Sequence, residues 1–334
     1  MSATLFTSVE RAAAILTDGG LVALPTETVY GLGANAFDPV AVAKIFAAKD
    51  RPFFDPLIVH LADITWLPRV VSHVSPVARQ LAERFWPGPL TLVLPKSDSV
   101  PDLVTSGLGS VGVRVPDHDL MRQVLRAANV PVAAPSANPF GRLSPTTADH
   151  VRQQLGNRVD AILDGGPCRI GIESTILGID GEHVTLLRPG GVPLEEIEEL
   201  IGRVRLPIAE QSQRPLAPGM LESHYAPRTP LTVVSDIPST ALRPRTGLLA
   251  FRKTEVCSQF AAVEVLSPTG DLLVAASNFF QALHRLDAAG LDEIVAERFP
   301  DAGLGRALND RLQRAAFRVP DAHGMNDAVG IESK

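Results

Sequence analysis

The segment Leu24–His60, LPTETVYGLGANAFDPVAVAKIFAAKDRPFFDPLIVH, constrains this chain more than any other. Apolar runs at Leu21–Leu24 and Leu57–Leu61 read as buried strands. Between them, Asp38-Pro39 supplies a cap and a first-turn proline for a helix that reaches Lys49, with Val42, Ile45 and Phe46 facing inward. A strand–helix–strand unit of this kind builds an α/β layer. The same segment holds Thr26, Thr28, Tyr30, Lys49, Arg51, Asp55 and His60. Polar groups set beside buried strands are costly unless they meet partners or a ligand, so the segment predicts a site as well as a fold.

The alternation continues. Thr7-x-x-Glu10 reads as a capping box, followed by a helical face at Val9, Ala12, Ala13 and Leu16 that Gly19-Gly20 ends. Ser75-Pro76 opens another helix. Further strands are expected at Leu90–Leu94, Val111–Val115, Val130–Ala133, Ala161–Leu163, Ser174–Ile179 and Val184–Arg188, with helices near 118–127, 146–155 and 193–202. Some strands follow each other directly, so the expected fold is α/β with a twisted, mixed sheet rather than a purely parallel one. Residues 205–229 are rich in proline and polar side chains and read as a linker. Beyond it, Leu231–Val234, Gly247–Phe251, a helix over 270–289, Glu293–Ala296 and a helix over Gly305–Ala316 predict a second, smaller α/β, Rossmann-like domain. The expected division is a first domain over 1–205, a linker over 206–229 and a second domain over 230–334, with a loose tail after Pro320.

Composition narrows the function classes. A net charge of −6 argues against a broadly basic surface that grips nucleic acid through its phosphates. Cys168 and Cys257 stand far apart, with no C-x-x-C or Cys/His cluster to build a structural zinc site or to require a disulfide. Residues 1–25 carry Glu10, Arg11 and Asp18 and lack the basic-then-apolar order of a signal peptide. No run approaches the roughly 18 apolar residues of a membrane span. A cytoplasmic location is the expectation, with no membrane partner.

Several clusters carry chemistry. Thr26, Thr28 and Tyr30 follow a strand, where open α/β sheets gather ligands; hydroxyls that merely stabilise a turn are the plainer reading. Lys49 and Arg51 lie two apart at a helix end and suit one anion, although basic residues also complement a helix C-terminus unaided. His60 inside an apolar strand is either a satisfied core histidine or part of the same site. Arg114 alternates with Val113 and Val115, and a buried arginine needs an anion, either a protein carboxylate or a substrate carboxylate. Ala134-Pro135-Ser136-Ala137-Asn138, Gly141 and Ser144-Pro145-Thr146 form a small-residue polar loop before a helix, open to a ligand's approach. Glu173-Ser174-Thr175 and Arg188 add hydroxyls and a cation. The chain has no G-x-x-x-x-G-K-[ST] loop, no G-x-G-x-x-G fingerprint and no G-x-S-x-G elbow, so nucleotide chemistry here needs another architecture.

Eight spaced elements over roughly residues 5–205 resemble the YrdC-like family of L-threonylcarbamoyladenylate synthases. They are P-T-E-T-V-Y-G-L at 25–32, K-x-R at 49–51, L-I-V-H at 57–60, P-G-P-L-T at 87–91, R-V-P at 114–116, P-S-A-N at 135–138, E-S-T-I at 173–176 and R-P-G at 188–190. Pro218-Gly219-Met220 and His224-Tyr225-Ala226-Pro227 resemble the long form of those enzymes, in which the linker folds back over the active site. The resemblance implies an activity that joins L-threonine, bicarbonate or carbon dioxide, and ATP with Mg²⁺, to give L-threonylcarbamoyl-AMP and pyrophosphate. It implies no tightly bound protein metal. A transient partner, the threonylcarbamoyl transferase complex, then modifies tRNA beside the anticodon, so tRNA is met only indirectly. By the same resemblance, Thr28, His60, Arg114, Ser174 and the backbone near Ala134 hold threonine. Lys49, Arg51, Asp55, Ser110, Ser136, Asn138, Ser144 and Arg188 hold ATP, Tyr225 closes over it, and Lys49 and Arg51 act in catalysis. Leu221-Glu222-Ser223 stands where many relatives carry basic residues. Two other readings fit the chain less well. An RNA-binding module conflicts with the acidic charge and with only two tyrosines and two tryptophans. Carbamoyl transfer in hydrogenase maturation goes with zinc-finger cysteine pairs that this chain lacks.

Overall fold

The computed structural model describes residues 4–206, 218, 224–239 and 244–317. Gly219 to Ser223 of the linker and the tail after Pro320 lie outside the described residues. The first unit runs β1 (Thr4–Phe6), α1 (Val9–Thr17), β2 (Val22–Leu24), β3 (Gly31–Asn35), α2 (Pro39–Lys49), β4 (Ile58–His60), α3 (Pro76–Phe85), β5 (Leu90–Pro95) and α4 (Asp102–Thr105). It continues with β6 (Ser110–Arg114), α5 (Asp119–Ala128), β7 (Val132–Ala133), α6 (Ala148–Leu155), β8 (Ala161–Leu163), β9 (Thr175–Asp180), β10 (His183–Arg188) and α7 (Leu194–Ile201). Ten strands join in the order β1-β8-β2-β3-β7-β4-β6-β5-β9-β10. The sheet is mixed: β4 runs parallel to β6 and β5 to β9, whereas β3–β7, β4–β7 and β5–β6 are antiparallel.

The second unit holds β11 (Leu231–Val234), β12 (Thr246–Ala250), β13 (Ala262–Val265), α8 (Leu272–Ala288), β14 (Glu293–Glu297) and α9 (Leu304–Ala316). Its four strands are all parallel, in the order β11-β14-β12-β13. Together the two units form the α/β fold expected from the alternation.

Local chemistry accounts for the element ends that position the site. Asp38 caps α2 by accepting from the Val40 and Ala41 amides, and Pro39 fixes the first turn. At its far end Asp50 adopts a left-handed conformation (φ 53°), and the Arg51 amide donates back to the Phe46 carbonyl. This reversal separates the directions of Lys49 and Arg51. The first helix corrects the predicted box: its cap is Ser8, whose hydroxyl accepts from the Arg11 amide, not Thr7. Three strands escaped the sequence reading, β1, β3 and β13, as did the short helix α4.

The main core lies between the large sheet and its helices, with Val42, Ile45 and Phe46 of α2 and Leu81 and Phe85 of α3 facing Val59, Leu92 and Val113. Another core packs Ala12 and Leu16 of α1 against Met121, Val124 and Leu125 of α5. The core of the second unit does not stop at its own boundary. Val29, Leu143, Ile172 and Tyr225 join Phe279, Phe280 and Leu308 in it. Cys168 and Cys257 are free thiols. Among the described residues no helix is long and apolar enough to cross a membrane.

Candidate active site

Four segments converge where strands of the large sheet end: the turn after β2, the residues after α2, the loop after β7 and the approach to β9. One cleft between them is lined by Thr28, Arg51, His60, Arg114, Ala134, Ser136, Ser174, Arg188 and Tyr225. These residues are dispersed over nearly 200 positions of sequence and meet because β4 and β6 pair in register, His60 opposite Arg114.

Arg114 sits at the floor, buried. Its Nη2 lies 2.7 Å from the Glu27 carboxylate, Nη1 donates to Thr28 Oγ1 at 2.9 Å, and Nε donates to the Gly88 carbonyl at 3.1 Å. Thr28 in turn lies 2.8 Å from Thr26 Oγ1, which donates to the Val29 carbonyl at 2.6 Å. Each hydroxyl has one proton to give, so this chain of donors runs one way: Arg114 to Thr28, Thr28 to Thr26, Thr26 to Val29. The protein carboxylate facing Arg114, Glu27, was not singled out from the sequence. His60 lies beside this floor. Burial, then the Arg114 charge, pushes its imidazole down to about 3, so it is neutral at physiological pH, and its Nδ1 has no hydrogen-bond partner among the described residues.

Arg51 and Arg188 line the same cleft. Arg51 pairs with buried Asp55 at 2.9 Å and donates to the Asp55 and Pro56 carbonyls. Burial raises the Asp55 carboxyl, and the neighbouring Arg51, Lys49 and Arg188 charges oppose that shift. Arg188 grips Ser174 through its carbonyl at 2.9 Å and donates to the Pro218 carbonyl at 2.9 Å. Ser174 Oγ is also 2.8 Å from Thr91 Oγ1.

Other expected residues stand behind this lining. Lys49 is fully buried and donates to the Ser136 carbonyl at 2.5 Å and to the Asn138 carbonyl, so its ammonium braces the loop after β7 from beneath. Burial, then Arg51, holds its pKa well below the ordinary lysine range. Asn138 clips its own loop by donating to the Pro139 and Arg142 carbonyls. Ser144 donates to Glu173 Oε1 at 2.5 Å rather than opening to the cleft. Ser110 lies away from it, in a neighbouring crevice with Pro56, Thr91 and Pro218.

The roof comes from the linker, which the second unit packs against. His224 and Tyr225 line the cleft, with ring centroids 4.1 Å apart, and Tyr225 carries a positive φ of 61°. Burial, then Arg51 and Lys49, drives His224 well below the usual imidazole range. Neither His224 Nδ1 nor the Tyr225 hydroxyl has a partner among the described residues. Buried polar atoms thus stand open beside three arginines, two of which, Arg51 and Arg114, are already paired with carboxylates.

The sequence model of the Sua5, YciO and YrdC group, described as "Telomere recombination", matches residues 14–190, and that of "Threonylcarbamoyl-AMP synthase, C-terminal domain" matches residues 192–317. The threonylcarbamoyl-AMP synthase of Bacillus subtilis is 42% identical over 92% of both chains. That of Pyrococcus abyssi is 43% identical over 92% of this chain and 94% of its own. This chain belongs to the threonylcarbamoyl-AMP synthase family. It is accordingly an enzyme of the nucleotidyl-transferring kind. A crystal structure of P. abyssi Sua5 complexed with L-threonine superposes with a TM-score of 0.86 at 39% identity, covering 94% of this chain and 97% of the other. Both units of the fold are therefore family features.

Proposed function

We propose that this chain makes L-threonylcarbamoyl-AMP and pyrophosphate from L-threonine, bicarbonate or carbon dioxide, and ATP, and that a threonylcarbamoyl transferase complex passes the group on to tRNA in the cytoplasm. The observation that carries the reading is one cleft with two kinds of wall. A group of hydroxyls around Arg114 shares the cleft with two further arginines, Arg51 and Arg188. The P. abyssi relative's complex with L-threonine supports L-threonine as one of the ligands. Thr28, Ser174, neutral His60 and the backbone at Ala134 read the amino acid, with Arg114 on its carboxylate. Arg51 and Arg188 take the phosphates, with Lys49 and Asp55 fixing Arg51 and the loop at Ser136 and Asn138. Ser144 contributes through Glu173, and Ser110, which lies in the neighbouring crevice, has no part in this reading. Mg²⁺ enters this reading as part of the substrate MgATP.

The chemistry needs no covalent enzyme intermediate. The threonine amine adds to carbon dioxide and loses a proton, giving a carbamate. A carbamate oxygen attacks the α-phosphorus, the bond to the β-phosphate oxygen breaks, and pyrophosphate leaves. Positioning and charge neutralisation carry such a step. The product is a labile mixed anhydride, so water must be kept out. Residues 1–205 supply the chemistry in this reading, the linker over 206–229 the cover, and residues 230–334 its support. Pyrophosphate release from MgATP is expected only when L-threonine and bicarbonate are both present. Release without either one, or none from folded protein that binds ATP, would overturn the reading.

A further inference from the structure

Arg311 belongs to the second unit, on α9, yet it contacts two residues that line the cleft of the first, Glu173 and Tyr225. It is fully buried. Its Nε donates to Glu173 Oε2 at 2.8 Å, and its Nη1 donates to Asp310 Oδ2 at 2.6 Å. Its guanidinium lies 5.0 Å from the Tyr225 ring centroid, within cation–π range. Glu173 lines the cleft, receives Ser144 on its other oxygen, and precedes the Ser174 that Arg188 grips. One guanidinium thus meets the linker's aromatic ring and the carboxylate that holds Ser144.

The same helix holds the linker a second time, because the His224 amide donates to the Arg314 carbonyl at 3.3 Å. Near its start, α9 is tied to the first unit by Arg306, 3.2 Å from Glu195 on α7. From the opposite side, the Ala226 amide donates to the Gly141 carbonyl at 2.8 Å, so His224-Tyr225 is clamped between α9 and the loop after β7. Nothing in local sequence pattern connects Glu173 with Arg311, 138 residues apart.

We infer that Arg311 is a positioning residue for the nucleotide half of the reaction: through Glu173 and Tyr225 it makes docking of the second unit a condition for a closed, phosphate-ready cleft. This rests on the proposed function, in which Tyr225, Arg188 and Ser144 serve ATP and the Arg114 floor serves threonine. Arg311 meets Tyr225 directly and Ser144 through Glu173, whereas its partners Glu173, Asp310 and Tyr225 include none of the residues around Arg114, so its loss should act mainly on one substrate.

The test uses the full chain with Arg311→Gln, Arg311→Lys and the double variant Glu173→Gln/Arg311→Gln. The double variant removes the buried carboxylate that a lone Arg311→Gln would strand. Initial rates of pyrophosphate release are measured against ATP and against L-threonine, beside circular dichroism of each protein. The expected result is an ATP KM raised about tenfold or more in Arg311→Gln and in the double variant, with the threonine KM within about threefold. Arg311→Lys should fall between, since lysine keeps the charge but not the planar fork. A residue that only holds the fold would lower the active fraction, and so kcat, and leave both KM values in place. An ATP KM within about twofold of the parent in the folded variants, or equal rises for both substrates, would overturn the inference. A parent protein without threonine- and bicarbonate-dependent release would instead sink the proposed function on which the inference rests.

Discussion

At the scale of the residue, the site is built from charges that already have partners, and Arg51 carries the consequence. It faces the cleft, yet it also neutralises Asp55, which has no exposed surface, and donates to two backbone carbonyls. Arg51→Ala therefore removes two things at once. Stranding the buried carboxylate is expected to cost about 3–5 kcal/mol, read from urea unfolding. Loss of the phosphate-facing guanidinium is expected to lower pyrophosphate release by about 10²-fold or more. Arg51→Ala/Asp55→Ala separates the two effects. It should recover much of the stability, because no lone buried charge remains, and none of the turnover. Recovered turnover in the double variant would assign Arg51 a purely structural part. The same geometry explains why Lys49 could not be placed from sequence: K-x-R reads as two cations on one anion, but the left-handed Asp50 sends Lys49 beneath the loop and leaves Arg51 in the cleft.

At the scale of the element, close backbone approach decides where the side chains stand. Gly190 packs so tightly on the start of β9 that a Cβ there would sit 2.3 Å from the Ser174 carbonyl carbon and 2.4 Å from the Glu173 oxygen. Gly190→Ala must push the 188–191 loop away from that strand, at an expected cost of about 1–3 kcal/mol. It should also uncouple Arg188 from Ser174, so catalysis should fall by more than the folded fraction measured by denaturant titration does. A drop that merely tracks the folded fraction would mean the wall re-forms. Elements with strong periodicity were legible in the sequence: β8, β11 and α8 fall close to where apolar pattern placed them. The glycine-rich β3 was not. GLGAN carries no β-branched residue, and the strand exists because β2 and β7 flank it; a Cβ on Gly33 would collide with Leu24 and Val132. β1, with three residues, and β13, with a half-exposed AVEV, gave too little signal of their own. In the site, motif spacing exposed the cleft-facing hydroxyls and arginines. Their counter-charges, Glu27 for Arg114 and Arg311 for Glu173, come from pairings that no local pattern records.

At the scale of the whole molecule, the two units share a core rather than a hinge. Ile172 and Leu143 of the first are packed among Phe279, Phe280 and Leu283 of the second. Gly171 makes this docking close: with φ 77°, its missing Cβ would lie 2.5 Å from the Ala276 carbonyl oxygen and 2.6 Å from the Ser277 Cα, both on α8. Gly171→Ala cannot be absorbed by a rotamer change, because the obstacle is backbone. Part of its cost is the positive φ itself, and Gly107→Ala isolates that part: Gly107 has φ 79°, and a Cβ there would meet nothing within 4 Å. Both variants should lose about 1–3 kcal/mol to backbone strain. Only Gly171→Ala should separate α8 from the first unit. Hydrogen exchange followed by mass spectrometry is expected to show faster exchange in α8 and at the amides of 170–172, with β5 and β6 protected as in the parent. If the second unit holds the cover of the cleft in place, ATP affinity should weaken in the same variant and not in Gly107→Ala. Equal exchange in the two variants would show that the units dock without this contact, and the roof over the arginines would then have to be held by the linker alone.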